Sequence, residues 1–124
     1  MILVDTSVWI DHLHKTDPGL VTLLEADEVG CHESVIQELA LGSIRQRTVV
    51  LDLLDNLYRF PVLGHAEVVA LVDRRRLHGR GLSAVDAHLL GSVSISGGAQ
   101  LWTRDKRLRS ACRDAGVSYV DESG

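Results

Sequence analysis

The chain opens on Met1-Ile2-Leu3-Val4 and then stops at an acid, Asp5. A short apolar run with no polar alternation is the pattern of a strand covered on both faces, as in the middle of a parallel sheet. That feature commits the chain to an α/β architecture, because parallel strands need crossover segments that cover the sheet. The sequence supplies them. Thr6-Ser7 offers capping hydroxyls before a short helix over 8–14, and Asp17-Pro18 opens another through Leu20, Leu23 and Leu24. Residues 28–32 predict a second strand. Ser34 is expected to cap a helix carrying Ile36, Leu39 and Leu41, closed by Gly42.

The stretch 44–57 is amphipathic, with Val50, Leu53, Leu54 and Leu57 at helical spacing. Residues 59–64 read as a third strand, edge-like because Pro61 cannot donate to a ladder. A helix over 65–77 runs into the loop Gly79-Arg80-Gly81, and Ser83 begins a further helix toward Ile95 that Gly97-Gly98 breaks. A strand over 100–103, a helix over 105–115 stopped by Gly116, a last strand over 117–120 and a polar tail over 121–124 complete the chain. The expected fold is a three-layer α/β/α sandwich, one domain over 1–124, with a mainly parallel sheet of about five strands.

Composition fits. At 124 residues and 45% hydrophobic, the chain has material for one compact core and is not a disordered or fibrous sequence. No apolar run approaches the roughly 18–20 residues of a membrane-spanning helix, and no basic stretch precedes the first apolar run as in a secretory signal. Cys31 and Cys112 lie far apart with no zinc or redox spacing, so two buried reduced thiols in a cytoplasmic protein are expected. The net charge of −4 argues against a nucleic-acid partner only if the charges are spread evenly. They are not. Of 13 basic residues, four fall in 74–80 and five in 104–113.

Four acids carry the chemistry. Ligands of open α/β sheets bind beyond the carboxyl ends of the strands. Asp5 and Asp105 follow predicted strands, while Glu38 and Asp86 lie near helix starts that can face the same edge. Each has an ordinary explanation: Ser83 and Asp86 fit a capping box, Asp105 an N-cap, Asp5 a turn and Glu38 an exposed helix acid. Gathered at one edge, however, such carboxylates repel and need a counter-charge. A hard divalent cation, Mg²⁺ or Mn²⁺, suits an all-oxygen donor set.

Val4-Asp5-Thr6-Ser7-Val8-Trp9-Ile10 is followed in order by Val35-Ile36-Gln37-Glu38-Leu39, Leu82-Ser83-Ala84-Val85-Asp86-Ala87 and Leu101-Trp102-Thr103-Arg104-Asp105-Lys106-Arg107-Leu108. This ordered set, spanning nearly the whole chain, resembles the PIN domains and specifically the VapC toxins of bacterial toxin–antitoxin pairs. The resemblance implies a PIN-like sandwich and a metal-dependent endoribonuclease. In it Asp5, Glu38, Asp86 and Asp105 bind Mg²⁺ or Mn²⁺ and catalyse, with Ser7 and Thr103 orienting carboxylates, water or a phosphate oxygen. It further implies a structured RNA substrate such as tRNA or rRNA, a VapB-like antitoxin that blocks the acidic pocket, and a homodimer. His88 departs from the pattern, standing where many relatives carry a small or apolar residue, and reads as a partly buried helix histidine.

The chemistry expected is in-line attack by metal-activated water, leaving 5′-phosphate and 3′-hydroxyl ends, with Asp105 or Asp86 orienting or deprotonating the water. Arg80, Arg104 and Lys106, beside the acids, are the candidate phosphate contacts, whereas Arg75, Arg76, Arg109 and Arg113 read equally well as a solvated helix surface. Aromatic residues are only 4% of the chain, which leaves recognition to the shape of folded or looped RNA. The apolar early helices and the 44–57 segment offer a groove for an amphipathic antitoxin helix. His12 and His14, two apart, point in different directions and make a poor metal clamp. Two other readings stand beside this one. A phosphatase-like hydrolase usually carries Asp-x-Asp after its first strand, where this chain has Asp5-Thr6-Ser7. In a non-catalytic binding module the acids would be reduced to helix caps.

Overall fold

The computed structural model describes residues 1–122. In chain order the elements are β1 (Ile2–Val4), α1 (Thr6–His14), α2 (Pro18–Glu25), β2 (Val29–Cys31), α3 (Glu33–Leu41), α4 (Arg47–Asp55), β3 (Tyr58–Arg59), α5 (His65–Arg74), α6 (Ala84–Ser94), β4 (Gln100–Trp102) and α7 (Lys106–Ala115). The four strands are parallel, in the order β3-β2-β1-β4. β1 is therefore interior, as its apolar run requires: Leu3 and Val4 are fully buried, and Ile2 pairs with Val29 on one side and Gln100 on the other. Trp9, Leu20, Leu39, Leu54, Phe60, Leu89, Leu90 and Leu108 pack helices and loops onto this sheet.

The strand order places the site. From β1 the chain moves outward to β2 and then β3, and it returns to form β4 on the opposite side of β1. The direction of winding reverses between β1 and β4, which is where open α/β sheets leave a crevice at the carboxyl ends of their strands. Asp5 follows β1 and Asp105 lies just beyond β4.

Several expected boundaries move. The last strand, expected over 117–120, is reduced to one bridge between Leu101 and Tyr119, so among the described residues the sheet has four strands and not about five. β3 is two residues long: the Phe60 amide still donates to the Cys31 carbonyl (2.8 Å), but Pro61 has no N–H to continue. α4 begins at Arg47, after Gln46 in a left-handed conformation with φ 52°. The cap of α3 is His32, whose Nδ1 accepts the Ser34 amide (3.0 Å), and not Ser34 itself. Of the expected polar tail, residues 123 and 124 lie outside the described residues.

Cys31 and Cys112 are free and buried, and burial pushes their thiols up to about 11 and about 12. Thiols so protonated are inert packing groups. Among the described residues no helix is long and apolar enough to cross a membrane.

Candidate active site

Asp5 is the N-cap of α1 and is buried, with 7% of its surface exposed. A carboxylate so placed must be matched by donors. Its Oδ1 accepts the Thr6 amide (2.7 Å), and its Oδ2 accepts the hydroxyls of Thr103 (2.7 Å) and Ser7 (3.0 Å). Ser7 Oγ in turn accepts the Arg104 amide (3.1 Å), and Thr103 Oγ1 accepts the Asp105 amide (3.1 Å). The loop after β4 is thus stitched to the start of α1 through two hydroxyls. Both orienting groups expected from the sequence, Ser7 and Thr103, touch Asp5.

The other three acids ring this centre. Asp105 caps α7 through Oδ1, which accepts the amides of Arg107 (2.9 Å) and Leu108 (3.1 Å). Asp86 closes a capping box at the start of α6: its Oδ2 accepts the Ser83 amide (3.0 Å) while Ser83 Oγ accepts the Asp86 amide (3.1 Å). Glu38, on α3, reaches across to α1, where its Oε1 accepts the Thr6 hydroxyl at 2.7 Å. Burial pushes the Asp86 carboxyl above its ordinary value; the Ser83 amide opposes that, and the charges of Asp5 and Asp105 add to it. The capping explanations and the clustering therefore hold together, because each cap uses only part of a carboxylate. No protein donor reaches Asp105 Oδ2, Asp86 Oδ1 or Glu38 Oε2 among the described residues.

This donor set fits a hard divalent ion. It offers carboxylate oxygens alone, the charges of Asp5 and Asp105 bear on Asp86, and three of the four acids keep an uncommitted oxygen. Among the described residues no three ligating side chains close into a tight cage. An open carboxylate rim is the form suited to Mg²⁺, which keeps several waters and shares its shell with substrate phosphate.

The PIN domain family model matches residues 2–114. The chain belongs to the PIN-domain family, on its VapC branch. Ribonuclease VapC32 of Mycobacterium tuberculosis, in strains CDC 1551 / Oshkosh and ATCC 25618 / H37Rv, is 68% identical over 122 residues, covering 98% of both chains. Among solved structures, FitAB bound to IR36 DNA fragment aligns with a TM-score of 0.64 at 18% identity, over 97% of this chain and 94% of that one. FitAcB from Neisseria gonorrhoeae aligns with a TM-score of 0.57 at 20% identity, over 98% and 97%. At those identities the two structures speak for the fold alone.

In this PIN domain the three expected phosphate contacts stand in different surroundings. Arg104 faces carboxylates: it pairs with Asp11 (2.9 Å), Asp17 (2.6 Å) and Glu122 (3.0 Å) and lies 5.6 Å from the Trp102 ring centroid. Its charge is used inside the molecule. Arg80 pairs with Asp114 (2.8 Å) and donates to Ser110 Oγ (3.2 Å). Lys106 is exposed, at the first turn of α7 beside Asp105. Two positioning groups escape a reading of the sequence: Thr6, which holds Glu38, and His32, which caps the helix carrying it. Thr6 beside Asp5 reads as a capping hydroxyl, and nothing local says that its partner lies 32 residues away.

Proposed function

We propose that the chain is a single-domain, Mg²⁺- or Mn²⁺-dependent endoribonuclease and the toxin of a toxin–antitoxin pair, cleaving structured RNA such as tRNA or rRNA to inhibit translation and growth. The observation that carries this reading is the set of four carboxylates at the point where the sheet reverses its winding, with the innermost, Asp5, held by Thr6, Ser7 and Thr103. The name of the 68%-identical relative, Ribonuclease VapC32, supports the substrate class.

Asp5, Glu38, Asp86 and Asp105 are the residues to hold the ion. When bound, a divalent cation lowers the pKa of water, neutralises the phosphate and stabilises the leaving oxygen. The rest falls to the chain. Thr103 and Ser7 fix Asp5 by donating to its Oδ2, and Thr6 turns Glu38 toward the same edge. Asp86 is suited to act as the base, because burial and the charges of Asp5 and Asp105 raise its proton affinity, and Oδ1 is the oxygen left to take a proton from the attacking water. In-line attack of that water on phosphorus leaves a 5′-phosphate and a 3′-hydroxyl.

The partners proposed are a VapB-like antitoxin and a second copy of the chain. The exposed side chains of Ile10, Leu41, Val49 and Leu53 support an apolar docking face, as does the small groove lined by Ile10, Leu13 and Ile44.

Incubating the purified protein with total cellular RNA in Mg²⁺, Mn²⁺ or EDTA, and sequencing the new 5′ ends, tests the reading. Cleavage in either metal, none in EDTA and ligatable 5′-phosphates are expected. A 2′,3′-cyclic phosphate or full activity in EDTA would overturn the mechanism. Asp86→Asn, which keeps the shape of the cap, should stay folded and lose about 10²–10⁴-fold in rate, the range for a general base.

A further inference from the structure

α7 buries Leu108, Ala111, Cys112 and Ala115 against the core. That stripe fixes what the rest of the helix shows to solvent. Lys106, Arg109 and Arg113 fall on another stripe, at i, i+3 and i+7. They line one side of a groove of about 350 Å³ whose remaining walls are Ser110, Tyr119 and Asp121. Arg107 points elsewhere, its guanidinium packed over Gly81, where a Cβ would lie 3.1 Å from it. Unlike Arg80 and Arg104, the three groove cations form no ion pair with a carboxylate among the described residues. Asp121 is the one acid in the lining. A second depression, of about 490 Å³, lies at the amino ends of the strands, around Gly97, Gly98 and Gln100, and holds a single cation, Arg75.

We infer that this groove binds the phosphates of an unpaired RNA segment continuing from the catalytic edge. The inference rests on the ribonuclease reading and names the track its substrate follows. Three features select it. Lys106 follows Asp105, the N-cap of α7, so one lining cation stands at the helix end that carries a rim acid. The cations then run down α7, and at 1.5 Å per residue Lys106 and Arg113 are separated by about 10 Å along the axis. That matches the rise of about three stacked nucleotides at 3.4 Å each. Finally, the groove runs between one helix and the segment around Tyr119, with three cations against one acid in its lining. The phosphate contacts are therefore Lys106, Arg109 and Arg113, in place of Arg80 and Arg104.

Salt dependence reads this directly, because each cation that neutralises a phosphate of a single strand contributes about 0.7 to the slope of log K against log salt. A fluorescein-labelled, unstructured ten-nucleotide RNA is titrated in EDTA with the full chain and with the Arg109→Gln/Arg113→Gln double variant, from 50 to 200 mM KCl. Losing two contacts should flatten the slope by about 1.4, so wild type loses about sevenfold more affinity than the variant across that range. Both positions are on the helix surface, and matching circular dichroism melts confirm folding. An unchanged slope, or no RNA binding by the folded wild type, overturns the groove. Retained RNA binding with lost affinity for a polyglutamate peptide overturns it too, and assigns the groove to an acidic protein segment. Cleavage of cellular RNA in Mg²⁺ is followed in parallel: its absence sinks the ribonuclease reading, while intact cleavage with an unchanged slope sinks the groove alone.

Discussion

His32 joins β2 to α3 with its two ring nitrogens in opposite situations. Nδ1 accepts the Ser34 amide at 3.0 Å, which places the ring proton on Nε2. Nε2 is buried with no hydrogen-bond partner, and it shares its surroundings with His88, whose ring centroid is 5.9 Å away and whose Nδ1 is likewise unpartnered. Burial, and then His88, hold His32 below the ordinary histidine range, so the folded protein keeps it neutral. The sign follows. The unfolded chain binds the proton more readily, so this contribution to stability is complete above about pH 6.5 and is lost as pH falls below it. His32→Asn retains an oxygen where Nδ1 caps the helix but cannot titrate. Its urea midpoint should change less than that of wild type between pH 7.5 and 5.5, whereas His32→Ala should lose about 1 kcal/mol of capping at both. Equal pH dependence in wild type and the Asn variant would show that His32 is not the sensor.

At the scale of elements, β2 shows why a three-residue strand can be specific. Gly30 lies in its middle, and a Cβ there would collide with the Phe60 ring, which packs edge-on against Tyr58 with centroids 5.2 Å apart. Phe60 is fully buried beyond β3, so the ring has nowhere to go. Gly30→Ala should cost about 1–3 kcal/mol as overpacking, measured by denaturant unfolding, and a neutral effect would mean that the β2–β3 edge yields. The same edge marks the limit of what sequence can tell. β1 and β4 are legible as short apolar runs and β2 as a stretch too short for a helix, and the capping residues Asp17, Ser83 and Asp105 set helix starts by local hydrogen bonding. β3 was not legible beyond its neighbourhood, because its length depends on how far Phe60 can follow Cys31 before Pro61 ends the ladder. The stretch 117–120 has strand composition yet secures only one bridge on Leu101. In the site, the positions of Asp5 and Asp105 follow from strand ends. The partners of Thr6 and Arg104 come from distant elements and appear only once the chain is folded.

For the whole molecule, Arg104 is the residue through which separate parts are tied together. Its guanidinium holds Asp11 on α1, Asp17 at the cap of α2, and Glu122 after the last bridge, while its amide bonds Ser7 beside Asp5. Three carboxylates around one cation remain a locally acidic patch, so little positive potential is left for RNA. Arg104 holds the carboxyls of Asp17 and Glu122 below their usual range. A carboxylate with a lowered folded pKa stabilises above its unfolded value and stops doing so as pH falls through the folded one. The pairs are partly exposed, with 28% of the Arg104 side chain accessible, so solvent screening limits the network to about 1 kcal/mol. Arg104→Gln should therefore lower Tm by roughly 4 °C at pH 7 and by progressively less below about pH 4, as the carboxylates protonate. An equal Tm loss at pH 7 and pH 3 would mean that packing over Trp102, and not charge, is what the side chain contributes. The same variant separates structure from recognition: its slope of RNA affinity against salt should equal that of wild type, while loss of Arg109 and Arg113 flattens it. A flattened slope in Arg104→Gln would return this arginine to the RNA surface.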